Sequence, residues 1–132
     1  MAARVVHFEI QADDLDRARE FYGTALGWTF ADYSAVSGSP YWGVITGADE
    51  NPGINGGLLP RPAAAPGMGQ GTNAYVCTVQ VDDFDATAAA ILAAGGVEAL
   101  PKIALPGMAW QGYFLDTEGN TFGVHQADPN AA

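Results

Sequence analysis

His7, Glu9 and Gln11 occupy alternate positions in the segment Val5-Val6-His7-Phe8-Glu9-Ile10-Gln11. Side chains of an extended chain alternate between its faces, so these three share one face and Val6, Phe8 and Ile10 share the other. An imidazole that titrates near neutrality, beside a carboxylate, is a set suited to acid–base work on a small substrate. The plainer alternative is a structural imidazole held by hydrogen bonds, with Glu9 in water or paired with Arg4. The frame returns in Ala74-Tyr75-Val76-Cys77-Thr78-Val79-Gln80-Val81-Asp82-Asp83-Phe84, where Thr78 and Gln80 stand in the places of Glu9 and Gln11.

The elements that must position these residues are legible around them. Asp13-Asp14 ends the first strand and caps a helix, with Asp16 adding negative charge to its first turn. Leu15, Ala18, Phe21, Tyr22, Ala25 and Leu26 make a helical stripe over Leu15–Leu26, and Gly27 stops it. Strands are expected over Trp28–Tyr33, Tyr41–Thr46 and Ile54–Leu59, with Ser34–Pro40 as a turn. A Pro-rich connector with no burial pattern follows. The second half repeats the order: strand Ala74–Val81, Ala-rich helix Phe84–Ala94, and strands Val97–Ile103, Trp110–Leu115 and Asn120–Gln126. Asp116–Gly119 is expected as the last tight turn, and Asp128–Ala132 as a loose tail.

Asp13, Asp14, Asp16, Ala25, Gly27 and Gly43 recur 69 positions later as Asp82, Asp83, Asp85, Ala94, Gly96 and Gly112. Gly53 and Gly57 recur at a spacing of 66, as Gly119 and Gly123. The chain of 132 residues therefore reads as one domain, 1–132, holding module one (4–59), a connector (60–72) and module two (73–126).

At 48% hydrophobic and 15% charged residues, the composition is that of a globular protein. A net charge of −10 excludes the basic surfaces that nucleic acid and anionic membranes require. The acidity suits a cationic ligand, or else a general solubility adaptation. Apolar runs are too short to span a bilayer, and the first strand follows Met1-Ala2-Ala3-Arg4 without a signal sequence, so a cytoplasmic location is expected. The single Cys77 alternates with Tyr75, Val79 and Val81 on the helix-facing side, where a buried, inert thiol is expected.

The opening His7-Phe8-Glu9-Ile10, the helix Asp14–Tyr22, the stop Leu26-Gly27-Trp28, and the segments Pro52–Leu58 and Asp116–Gly123 resemble the vicinal oxygen chelate superfamily of glyoxalase I, extradiol dioxygenases and bleomycin-resistance proteins. The likeness covers nearly the whole chain, from about Val5 to Gln126. It implies an α+β fold of two βαβββ modules, whose strands form a curved, cup-shaped mixed sheet with helices outside and a small organic ligand inside, commonly in a homodimer. It also implies metal ligands at four positions, which fall on His7, Gly57, Val76 and Gly123. Only the first has a donor side chain, so neither a metal nor another cofactor is expected here.

The ligand-binding set expected in such a cup is His7, Glu9, Gln11, Trp42, Gly57, Val76, Thr78, Gln80, Tyr113, Thr121, Gly123 and His125, with Trp42 and Val44 matched to Gln111 and Tyr113 as walls. Three functions remain open on these residues. One is a non-catalytic binder of a metabolite or antibiotic. Another is a metal-free isomerase, cyclase or lyase with His7 and Glu9 as catalytic acid–base groups. The third is a degenerate metalloenzyme centred on His7.

Overall fold

A computed structural model describes residues 3–65, 74–117 and 120–132. Its elements are β1 (Arg4–Ala12), α1 (Leu15–Leu26), β2 (Thr29–Asp32), α2 (Ser34–Ser37), β3 (Trp42–Ile45), β4 (Gly56–Pro60), β5 (Val76–Gln80), α3 (Phe84–Ala93), β6 (Val97–Leu105), β7 (Ala109–Leu115) and β8 (Thr121–Ala127). This is an α+β chain in which the order βαβββ occurs twice, interrupted in the first half by the short α2. Contacts among the described residues divide it into one unit within 7–75 and another that combines residues up to 6 with those from 76 on. Residues 66–72 of the expected connector, and Glu118 and Gly119 of the expected last turn, lie outside the described residues.

In the first unit the strand order is β2-β3-β4-β1. β1 and β4 run parallel with Glu9 opposite Gly57, while β3 is antiparallel to β4 with Gly43 opposite Gly57 and Trp42 opposite Leu58. Asp14 caps α1 by accepting from the Arg17 backbone N–H at 3.0 Å. Gly27 ends the helix in the left-handed region at φ 73°, where a residue without Cβ is unstrained. The helix packs Leu15, Ala18 and Tyr22 on a core of Phe8, Ile10, Val44 and Leu58. That leaves the opposite face of β1, with His7 and Glu9, for other work.

The second unit repeats the plan in the order β5-β8-β7-β6. β5 and β8 are parallel with Thr78 opposite Gly123, and β7 is antiparallel to β8 with Gln111 opposite His125 and Tyr113 opposite Gly123. Asp83 caps α3 through the Ala86 N–H, as Asp14 caps α1. Val81, Phe84, Phe114 and Val124 form the core, with Ala88 and Ile91 packed on it.

Several expectations need correction. Because Gly43 and Tyr113 hold equivalent registers opposite Gly57 and Gly123, Tyr41 and not Trp42 is the counterpart of Gln111. A slip of one residue exchanges the faces of a strand. Trp42 and Val44 therefore pack on the helix side, and Trp42 carries the Arg19 guanidinium 3.8 Å above its ring centroid instead of lining a ligand site. The match of Gly43 to Gly112 was a coincidence of composition: Gly112 belongs to the helix side, where an added Cβ would press on the Phe84 ring at 2.6 Å.

Ser34–Ser37 is a turn of helix and not an open turn, closed by Gly38 at φ 78°. Cys77 is exposed, for it precedes Val79, the first β5 residue packed on the helix-side core. The C-terminal segment is docked. Asp128 accepts from the Trp110 indole N–H at 3.0 Å, the Ala131 carbonyl accepts from the Gly107 N–H at 2.8 Å, and Ala131 is buried.

Leu58, fully buried at the centre of the first core, is the sharpest test of this packing. Leu58→Ala should cost about 2–5 kcal/mol in urea unfolding. The cap variant Asp14→Ala should cost about 1 kcal/mol. A Leu58→Ala loss no larger than that of the cap variant would contradict the assignment of this core.

Candidate functional site

On the face of the first sheet away from α1, Glu9 is buried at 7% exposure and His7 is half-buried. The Tyr41 hydroxyl joins them, donating to Glu9 Oε2 at 2.8 Å and lying 2.9 Å from His7 Nε2. A phenol has one proton, and here it goes to the carboxylate, so the bond to His7 requires the imidazole to donate from Nε2. The result is a directed chain, His7 to Tyr41 to Glu9.

Local structure places Tyr41 for this role. The Tyr41 N–H donates to Ser34 Oγ at 3.1 Å, and its carbonyl accepts from the Tyr33 N–H at 2.9 Å, so the α2 turn pins it at the head of β3. From there the ring reaches over Gly57, and a Cβ on residue 57 would coincide with the Tyr41 hydroxyl. Gly57 is thus a close-approach position that makes room for the phenol.

The second unit presents a different set on its corresponding face. His125 Nδ1 lies 2.8 Å from Gln111 Oε1. An amide oxygen only accepts, so Nδ1 carries the proton and Nε2 keeps its lone pair. Burial of the His125 ring lowers its pKa below 6.5, which favours the neutral imidazole. Gln111 is buried at 8% exposure and Thr78 at 1%, and the Thr78 hydroxyl has no hydrogen-bond partner among the described residues. Gly123 lies beside both: an added Cβ would collide with Thr78 Oγ1 and stand 2.9 Å from Gln111 Nε2.

The expected residues therefore fall into separate groups. His7, Glu9 and Gly57 cluster in the first unit, and Thr78, Gly123 and His125 in the second. Val76, Gln80 and Tyr113 share the face of the second group by register and alternation, whereas Thr121 is exposed at the start of β8. Gln11 lines a separate shallow cavity of ≈ 350 Å³ with Asp13, Asp14, Arg17 and Arg61, among others, that none of His7, Glu9 and Tyr41 lines. Tyr41 was missing from the expected set, whereas Gln111 was expected there as a wall matched to Trp42. The signal for Tyr41 lay in strand period two, which places it with Gly43.

The donor set does not fit the metal centre that the resemblance implies. Gly57, Val76 and Gly123 offer no donor atom, and the Tyr41 hydroxyl fills the place a residue-57 side chain would take. Among the described residues no three His, Cys, Asp or Glu side chains are grouped to hold an ion. Nor is any helix among them long and apolar enough to cross a membrane.

Comparisons with known proteins agree with the architecture. The family described as bleomycin resistance protein-like N-terminal matches residues 4–35. No curated protein matches the sequence at a significant level. Among solved structures, methylmalonyl-CoA epimerase from Streptomyces coelicolor, in complex with 2-nitronate-propionyl-CoA, is similar with TM-score 0.62 and 20% identity over 98% of each chain. A glyoxalase/bleomycin resistance protein/dioxygenase superfamily member from Vibrio splendidus gives TM-score 0.59 and 18% identity over 96% of this chain and 100% of that one. The Mn(II)-bound glyoxalase from Novosphingobium aromaticivorans gives TM-score 0.55 and 21% identity over 98% of this chain and 40% of that one. The chain has the fold of the glyoxalase/bleomycin-resistance/dioxygenase superfamily.

Each cluster carries an expectation. Gly57→Ala should expel the Tyr41 ring and shift the His7 ring resonances in NMR as Tyr41→Phe does; unmoved His7 resonances in both variants would disprove the chain of bonds. For His125, the lowered pKa means that the unfolded chain binds a proton before the folded chain does. Its contribution to stability is complete above pH 6.5 and is lost as pH falls through the folded value. Urea unfolding between pH 7.5 and 5.5 should therefore show a smaller fall in stability for His125→Phe than for the parent. An identical pH dependence in the two proteins would contradict the burial account.

Proposed function

We propose that this chain is a small-molecule-binding protein of the glyoxalase/bleomycin-resistance type, which holds an organic metabolite or antibiotic against its polar sheet faces without a bound metal. The observation that carries this reading is the His7–Tyr41–Glu9 chain over Gly57, in which a phenolic hydroxyl stands where a further metal-ligand side chain would be needed. A few fixed polar groups on an otherwise apolar scaffold are the usual means of orienting a small ligand. The match of residues 4–35 to the bleomycin-resistance-like family supports the same reading. The net charge of −10 favours a cationic ligand through long-range attraction.

The reading includes a homodimer. Phe21, Leu26, Leu92, Leu100, Ile103 and Met108 are each more than half exposed, and apolar surface on this scale suits cover by a second copy. An exposed, unpaired Cys77 suits the reducing conditions of the cytoplasm.

The same bonds favour a second reading, as a metal-free isomerase, cyclase or lyase with His7 and Glu9 as acid–base groups and Tyr41 between them. Turnover that survives a chelator and disappears in His7→Ala would distinguish it from simple binding.

Calorimetry and native mass spectrometry in excess EDTA, against a cationic glycopeptide and a panel of aromatic natural products, test the primary proposal. Stoichiometric binding of at least one compound is expected, weakened about tenfold or more in Tyr41→Phe. Stoichiometric Zn, Ni, Mn or Fe in the purified protein, or binding that appears only when such an ion is added, would overturn it.

A further inference from the structure

We propose that the cavity beside the start of α1 binds a small organic carboxylate, with its charged head on Arg17 and Arg61 and its apolar body on Phe21. The cavity lies wholly within the first unit, none of His7, Tyr41 and Glu9 lines it, and the proposal does not rest on the reading above.

Local structure brings the two arginines together. Asp14 caps α1 and Leu15 begins it, so Arg17 stands in the first turn. The Arg61 N–H donates to the Ala12 carbonyl at 3.1 Å, which carries the pairing of β1 and β4 one residue beyond Ala12 and Pro60. Both side chains line one cavity of ≈ 350 Å³, together with Asp13, Asp14, Phe21 and Tyr22. Small-molecule sites run from about 300 to 1,000 Å³, so this one suits a small ligand.

The charges around the cavity decide its sign. The chain has five basic residues. Arg19 bonds Asp16 and covers Trp42, and Lys102 bonds Asp85 at 3.0 Å. Neither the Arg17 nor the Arg61 guanidinium makes a hydrogen bond among the described residues. Asp13 lies 3.8 Å from Arg61 Nε, a charge contact too long for a hydrogen bond, and its side chain is 63% exposed. Asp14 is committed to the Arg17 backbone N–H at 3.0 Å. Two carboxylates and two guanidiniums cancel in formal charge, so the excess that the cavity offers is in N–H donors. At physiological salt, charges more than about 8 Å away are largely screened, which limits what the rest of this acidic chain can do against an anion here.

A planar carboxylate takes two parallel bonds from a guanidinium, and such charge-assisted pairs are the stronger hydrogen bonds. A phosphate dianion would be repelled more strongly by the two aspartates. An ammonium would meet Asp13 but oppose both guanidiniums. Phe21 sets the body of the ligand. It is 61% exposed, and it follows Arg17 by four residues on the same face of the helix. Its ring stands edge-on to Tyr22, with centroids 5.1 Å apart. A hydrocarbon group laid over that ring would remove apolar surface from water.

Three probes that differ only in the head group decide the matter: phenylpropionate, phenylpropanamide and phenylpropylammonium, each titrated into the ¹⁵N-labelled full chain at pH 7.5. Phenylpropionate should shift the side-chain Nε–H resonances of Arg17 and Arg61, with an affinity about tenfold above that of the amide. Arg17→Gln should weaken it about tenfold and Phe21→Ser about fivefold. The urea midpoint of Arg17→Gln should stay at the parent's value, since the substitution breaks no side-chain bond of the folded chain. Equal affinity for the amide, a preference for the ammonium, undiminished binding in either variant, or no shift at the arginines would overturn the assignment. Shifts confined to His7 or His125 would overturn it and leave the small-molecule reading standing.

Discussion

The placement of one hydroxyl organises the first unit. Tyr41 Oη lies within hydrogen-bond distance of both His7 and Glu9, and it can do so only because residue 57 has no side chain. Parallel pairing sets Glu9 opposite Gly57, antiparallel pairing sets Gly43 opposite Gly57, and the α2 turn fixes Tyr41 at the head of its strand. Each of these is a backbone constraint. Together they convert a position that resembles a metal-ligand site into a position of close approach, and the imidazole is bonded to a phenol that is itself bonded to a carboxylate.

The second unit uses the same backbone plan to a different end. Gly123 is again a close-approach position, here against the Thr78 hydroxyl and the Gln111 amide, and Gln111 in turn accepts from the His125 imidazole. A carboxylate is integral to the first cluster, while the Thr78, Gln111 and His125 side chains of the second carry no formal charge. The two units share registers and caps, as the parallel roles of Asp14 and Asp83 show, and differ in the side chains on the faces away from their helices. In this architecture the helix side carries the two apolar cores, and the polar side chains that differ between the units lie on the opposite face.

Much of this was legible in the sequence because it depends on local rules. The Asp caps, the stop at Gly27 and the period-two alternation of His7, Glu9 and Thr78 all appear where strand and helix geometry require them. The repeat was legible too, but its alignment slipped at the third strand, where Gly43 and Gly112 attracted each other in a glycine-rich background. That single residue of error moved Trp42 to the wrong face and hid Tyr41 as the counterpart of Gln111. The docked tail was hidden for another reason: the bond from Trp110 to Asp128 and the burial of Ala131 are tertiary events with no periodic signature. Cys77 was misread because alternation assigns a face but does not say how far the packed core extends along it.

The central claim is that polar side chains, and not a metal, hold the ligand. The chain has only His7 and His125, so their ring nitrogens can be followed individually by NMR in the metal-depleted protein while a bound organic compound is titrated. The account predicts that the ring resonances of at least one histidine move with saturation in the presence of chelator, and that adding divalent metal changes neither the affinity nor the shifts. Binding that requires the metal, or saturation that leaves both rings unmoved, would contradict it.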